Sequence, residues 1–217
     1  MRWTVIGVLL LAAPGLGFAQ GNRAGTWEWS FAGIYQDSAG SGAAGGSSVN
    51  VDGQFGLGIS FGYHLNNNFM IGADVEWLRP DYTAVLVNDL DPTDVTVINH
   101  ELSQFNGRIK GTFHFTDGPL TPYVEAGFGW TYIDSNVADG PPITGCWWHP
   151  WWGYVCSNYY STFSSTEFSY GGALGLRYQL VGGTVLKLSV NHYVLDAGSG
   201  KPDPELNAAR LEIAWGF

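Results

Sequence analysis

Charge is scarce in this chain. Only 13% of its 217 residues are Asp, Glu, Lys or Arg, against roughly 25% in ordinary soluble domains, which is too little to cover a solvated surface. Nine Lys and Arg face nineteen Asp and Glu, and nothing resembles a basic nucleic-acid footprint. Cysteine is almost absent: the two present, Cys146 and Cys156, fit one disulfide in an oxidising compartment. Long apolar runs are missing too. The stretch Val5–Ala13 falls far short of the roughly 20 residues a spanning helix needs, and no later run is long enough. Any membrane crossing must therefore use strands.

What the chain has instead is aromatics, at 15%, and 31 glycines. It also begins like an exported protein. Met1 and Arg2 precede the apolar run, and Gly17-Phe18-Ala19 places small residues at the −3 and −1 positions of a cleavage site. A signal peptide over residues 1–19 is expected, with the mature domain over 20–217.

The mature part reads as eight alternating segments: 25–36, 51–63, 69–79, one ending at Phe115, 123–133, 166–180, 185–194 and 207–217. In the second, Phe55, Leu57, Ile59, Phe61 and Tyr63 alternate with Gln54, Gly56, Gly58, Ser60 and Gly62, the period of two that defines a strand. The last segment ends on Phe217 with Leu211, Ile213 and Trp215 on the same face. A chain can safely end inside a strand that closes a barrel, because closure removes the free edge. A change of phase between Leu102 and Phe105 predicts a bulge or a segment outside the membrane there. Within the long connection before it, Val85–Val87 and Val95–Ile98 should extend a hairpin, whereas the Gly/Ser/Ala-rich stretch 37–50 reads as a plain loop.

Connections alternate between tight turns, such as Gly182-Gly183, and long loops, as in outer-membrane barrels. Aromatics collect near both ends of the segments: Trp27, Tyr63, Phe69, Phe115, Tyr178 and Phe217 on the turn side, Tyr35, Trp77, Phe105, Trp130 and Phe168 on the loop side. A soluble barrel with an apolar interior would alternate equally well. The polar face decides the question: Gly, Ser and Ala with scattered charges suit the crowded lumen of eight strands better than a solvated exterior. The fold class is all-β, an eight-stranded antiparallel transmembrane up-and-down barrel.

The segment Thr121-Pro122-Tyr123-Val124-Glu125-Ala126-Gly127-Phe128-Gly129-Trp130 resembles the recurring Pro-Tyr-x-x-x-Gly-x-Gly-aromatic strand of the small eight-stranded outer-membrane β-barrel family. That porin-like group includes opacity-type adhesins. The closing Ile213, Trp215 and Phe217 resemble the signal read by the barrel-assembly machinery. The resemblance implies an integral protein of the bacterial outer membrane. Its surroundings would be outer-membrane lipids and lipopolysaccharide, with no cofactor and no nucleic-acid partner, and it would act as a monomer.

Three groups of residues could carry function. Asp74, Glu76, Arg108, Lys110, Glu125, Arg177, Lys187, Arg210 and Glu212 fall on the lumen face. Asp74 and Glu76 are expected opposite Arg108 and Lys110, Glu125 near Arg177, and Arg210 and Glu212 near Lys187. They form either a selectivity ring in a narrow porin or a plug of satisfied ion pairs.

The stretch Cys146 to Cys156 encloses Trp147, Trp148, His149, Trp151, Trp152 and Tyr154. Oxidised, it is either a rigid aromatic recognition loop for an extracellular ligand or a clasp capping the barrel mouth. The acids Asp81, Asp89, Asp91, Asp94 and Glu101 read as a solvated loop or a gathering point for divalent cations.

Enzymatic activity is not expected. Asn191-His192-Tyr193-Val194 with Asn207 faintly resembles the His-x-Ser strand of lipid A deacylases, but Val194 stands where the nucleophile would be. The function that follows is an envelope or surface-recognition barrel with a largely filled lumen. A narrow porin is the alternative, and a lipid-modifying enzyme comes behind it.

Overall fold

The computed structural model describes residues 22–42, 47–87, 93, 95–139, 141, 143–159, 161–180, 182–196, 198 and 203–217. The expected signal peptide and the acids Asp89, Asp91 and Asp94 lie outside them. Fourteen strands are present among the described residues: β1 Trp27–Gln36, β2 Ala39–Gly42, β3 Ser48–Val51, β4 Gln54–His64, β5 Phe69–Leu78, β6 Asp81–Val87 and β7 Val95–Glu101, followed by β8 Ser103–His114, β9 Leu120–Ala138, β10 Ile143–His149, β11 Gly153–Tyr159, β12 Thr162–Gln179, β13 Thr184–Asp196 and β14 Glu205–Gly216.

Eight of them close a barrel in the order β1-β14-β13-β12-β9-β8-β5-β4, each strand pairing with its barrel neighbours in antiparallel register. The seam joins the first strand to the last. Trp27 and Phe217 exchange two backbone hydrogen bonds of 2.9 Å each, so the terminal residue itself completes the ladder and no edge is left.

Alternation sorts the side chains by face. In β1, Trp27, Trp29, Phe31 and Tyr35 are exposed on the outer wall, while Glu28, Ser30 and Gln36 are buried within. An apolar exterior around a polar interior is the reverse of a soluble fold and suits a wall facing lipid. The two aromatic belts are in place. On the turn side Trp27 lies against Tyr63 at 4.7 Å; on the loop side Trp77 meets Phe105 at 5.4 Å and Trp130 meets Phe168 at 6.3 Å.

Turns close the other end tightly. The Asn66 side-chain oxygen accepts from the amides of Asn68 and Phe69 at 2.9 and 2.7 Å. Gly182 and Gly183 take φ of +91° and +84°, a region that only glycine enters freely.

One expectation about the loop side needs correction. The stretch 37–50 contains strands β2 and β3, which join β6 and β7 in a four-stranded sheet outside the barrel. Its small residues gave no period-two signal, yet their backbones pair. Of the two readings of the phase change between Leu102 and Phe105, the segment outside the membrane fits and the bulge does not. Leu78 faces Gln104 and Asp81 faces Glu101, so the β5–β8 register runs unbroken into β6–β7. The phase changes because apolar residues no longer need to face outward once the hairpin leaves the bilayer. The one register shift along the barrel wall lies in β12 between Thr162 and Ser164.

Candidate functional site

Ten charged side chains from seven strands meet inside the barrel, all buried. Arg210 links three carboxylates: Nη1 lies 3.3 Å from Asp74 and 2.7 Å from Glu76, and Nε lies 2.9 Å from Glu212. Arg108 pairs with Asp74 at 3.1 Å and also with Glu76, and its guanidinium sits 4.0 Å over the Tyr193 ring. Lys110 lies 3.6 Å from Asp74 and 3.2 Å from Glu125. Below them, Lys187 reaches Glu212 at 3.8 Å and Glu28 at 2.5 Å, while Arg177 holds Glu28 at 3.1 Å.

Five carboxylates therefore meet five Lys and Arg cations in one connected, formally neutral lattice. Neutral side chains extend it. Ser30 donates to Glu212 at 2.6 Å, Thr112 to Glu125 at 3.1 Å and Asn106 to Glu76 at 3.0 Å, and Gln104 and Gln36 join above. Such charges can be buried only when paired in this way. The polar face of β4 (Gly56, Gly58, Ser60, Gly62) makes the room. A Cβ at Gly58 would meet Glu76 Cγ at 3.3 Å, and one at Gly62 would meet Met70 Sδ at 2.9 Å.

The structure brings together all nine of the lumen charges expected from sequence, with one pairing corrected. Glu125 does not meet Arg177: they face Ala173 and Thr121 respectively across β9–β12. Four positions along a strand separate them by about 13 Å. Arg177 turns to Glu28 instead, a lumen charge that was not singled out. Its signal was present, since Glu28 alternates with Trp27 and Trp29 on β1. Arg23 was also missed. It is buried at the turn-side mouth, where Nη2 donates to the Thr116 carbonyl at 2.7 Å.

Of the closing residues, Ile213 faces Phe31 across the seam, Trp215 lies 4.9 Å from Trp29, and Phe217 bonds to Trp27.

The cysteines lie opposite one another in β10 and β11 and form a disulfide, with Cα atoms 4.0 Å apart. The two strands pair with each other as a separate sheet. Trp148 is 72%, Trp151 83%, Trp152 73% and Tyr154 69% exposed. At the tip, the His149 ring lies 4.3 Å from Trp152 and 5.7 Å from Trp151, and His149 Nδ1 accepts from the Trp151 amide at 3.2 Å. The tip is thus internally organised yet presented outward, which does not match a clasp with its tryptophans packed on neighbouring loops. Trp147 pairs through its backbone with Val155; its side chain lies outside the described atoms.

Among the acidic residues, Asp81 and Glu101 face each other across β6–β7. On the barrel's outer wall His192 Nδ1 is 2.8 Å from Asn207 Oδ1, and Val194 occupies the next outward position.

Comparison with known proteins agrees with this architecture. The family profile described as "Outer membrane protein beta-barrel domain" matches residues 7–217. OprG from Pseudomonas aeruginosa superposes with a TM-score of 0.56 at 14% identity, covering 91% of this chain and 98% of its own. Neisserial surface protein A (NspA) gives 0.51 at 13% identity, with 93% and 99% covered. Ail, the attachment invasion locus protein of Yersinia pestis, solved with the heparin analogue sucrose octasulfate, gives 0.51 at 13% identity, with 89% and 99% covered. No curated protein matches the sequence.

Proposed function

This chain belongs to the outer membrane protein β-barrel family, is integral to the bacterial outer membrane, and on that premise we propose that it is a sealed barrel displaying a surface-recognition hairpin. The observation that carries this reading is the tip of β10–β11. It holds three tryptophans and a tyrosine more than two-thirds exposed on a disulfide-clamped turn. Exposing so much aromatic surface to water is unfavourable, and a rigid aromatic cluster loses little conformational entropy on binding. Flat indole faces suit stacking on sugar rings, so the ligand class is a surface glycan.

The lumen supports the same reading. A neutral lattice of paired side chains fills an interior that eight strands leave barely wide enough for side chains, which supports a role outside the bore. The reading is non-catalytic. Val194 offers no hydroxyl at the position where the faint hydrolase resemblance would need one.

The test is binding of the refolded protein to an array of bacterial and host glycans. Wild type should bind a defined subset, and Trp151→Ala/Trp152→Ala should lose at least tenfold in affinity while keeping its folded mobility on a gel. A blank array, or unchanged binding by the double variant, contradicts the proposal.

A further inference from the structure

Residues 22–26, just ahead of β1, fold across the turn-side mouth of the barrel. The Arg23 and Ala24 amides both donate to the Asn67 side-chain oxygen, at 3.0 and 3.1 Å, and the Gly25 amide donates to the His64 carbonyl at 2.8 Å. Gly25 takes a φ of +81°, which turns the chain here without strain. The Arg23 side chain is carried inward, where Nη2 reaches the Thr116 carbonyl at 2.7 Å in the turn between β8 and β9.

A cavity of about 190 Å³ lies at this mouth, enough for a small ion with water. Asn22, Arg23 and Thr26 line it from the strap, and Glu28, His64 and Arg177 line it from the wall. The last three are buried on the lumen face. His64 on β4 and Arg177 on β12 come from opposite sides of the barrel. Both reach the same Glu28 oxygen, at 3.5 and 3.1 Å. The cavity therefore belongs to the lumen and not to the lipid-facing surface.

Its lining holds unspent hydrogen-bonding capacity. Arg23 Nη1, Arg177 Nε and His64 Nδ1 are buried without a hydrogen-bond partner. Glu28, the carboxylate of the lining, is already held by Lys187 at 2.5 Å and by Arg177. Arg23 makes no ion pair among the described residues. The lumen lattice is neutral without it, so its guanidinium is an uncompensated buried charge, which is costly. Burial and then Arg177 push the Arg23 pKa below its ordinary value, and Asp117, exposed in the β8–β9 turn, offsets part of this with Glu28.

We infer that this cavity binds one phosphate ion from the periplasm, with Arg23 and Arg177 donating to its oxygens and His64 accepting from its hydroxyl. The tight turns mark the periplasmic side. The free nitrogens come from the strap and from opposite walls, so they surround a ligand; four tetrahedral oxygens suit that arrangement better than a planar carboxylate. His64 selects among tetrahedral ions. Its Nε2 faces a carboxylate, which only accepts, so a neutral ring donates there and presents Nδ1 as an acceptor. Hydrogen phosphate supplies an O–H to it and sulfate supplies none. The inference is independent of the hairpin reading.

The probe is inorganic phosphate, titrated by calorimetry into the refolded mature barrel in a sugar-headed detergent, with sulfate in a parallel titration. Wild type should bind one phosphate per barrel, and sulfate roughly tenfold more weakly. Arg23→Gln should weaken phosphate binding roughly tenfold or more. His64→Gln keeps an amide donor for Glu28 but lacks the acceptor, so its preference for phosphate over sulfate should vanish. That variant decides the matter should Arg23→Gln fold poorly. Arg79→Gln, the same change of charge at the loop-side end of β5, should change nothing. No saturable binding by wild type, equal affinity for the two ions, unchanged binding in the folded variants, or displacement of phosphate by added phosphatidylglycerol overturns the inference.

Discussion

Arg210 on β14 reaches Glu76 on β5, Nη1 to Oε1 at 2.7 Å, although the two strands stand three places apart around the wall. The contact spans the lumen and ties opposite sides of the barrel together. The same guanidinium also contacts Asp74 and Glu212, which makes Arg210 the central member of the lattice.

Arg210→Met should destabilise the barrel by about 3–5 kcal/mol, because it leaves buried carboxylates without their shared cation. Replacing a whole pair, Lys110→Met with Glu125→Gln, should cost much less. The check is the urea dependence of folded mobility on a gel, read for both variants beside wild type.

Gly171 is a packing requirement of a different kind. A Cβ there would lie 2.1 Å from the His192 carbonyl oxygen and 2.7 Å from Tyr193 Cα, so backbone on one strand must yield. Gly171→Ala should cost about 1–3 kcal/mol, whereas Gly33→Ala, with nothing within 4 Å of its Cβ, should be nearly silent. Paired urea titrations separate the two.

The disulfide belongs to the hairpin and not to the wall. Cys146→Ser with Cys156→Ser removes roughly 2–3 kcal/mol of loop-closure stabilisation from β10–β11 alone. The barrel's unfolding midpoint should stay unchanged, while amide exchange in the hairpin accelerates and glycan binding weakens.

Asp134 is the pH-sensitive joint of the extracellular extension. The Asn136 amide donates to it at 2.9 Å, Thr162 at 2.8 Å and Tyr132 at 3.3 Å, and these bonds hold its carboxyl below the usual range. A depressed value means that the stabilisation is present above the ordinary carboxylate pKa and is lost as pH falls through the folded one. Asp134→Asn should loosen the β9–β12 extension at neutral pH and make no difference in strong acid, as read by amide exchange there.

The eight wall strands were legible in the sequence because a barrel in lipid writes its two faces into period two: Phe55 to Tyr63 against glycine and serine, Ala208 to Phe217 to the last residue. The boundaries were less legible. β9 runs to Ala138 and β12 starts at Thr162, since outside the bilayer alternation is not enforced. β2 and β3 were invisible for the same reason. Pairings between distant strands needed register. The sequence placed Glu125 and Arg177 on the correct face, but not four positions apart. Exposure of Trp151 and Trp152 could not be read from composition, because a tryptophan-rich loop can equally well pack inward.

The central claim is that the barrel is sealed by its own side chains. Single-channel recording of the refolded mature chain in a planar bilayer, after folded mobility is confirmed, tests it most directly. The account predicts silence from wild type at high salt. Steady openings whose conductance scales with salt would contradict it and would make the Asp74–Glu76–Arg108–Arg210 lattice the lining of a pore.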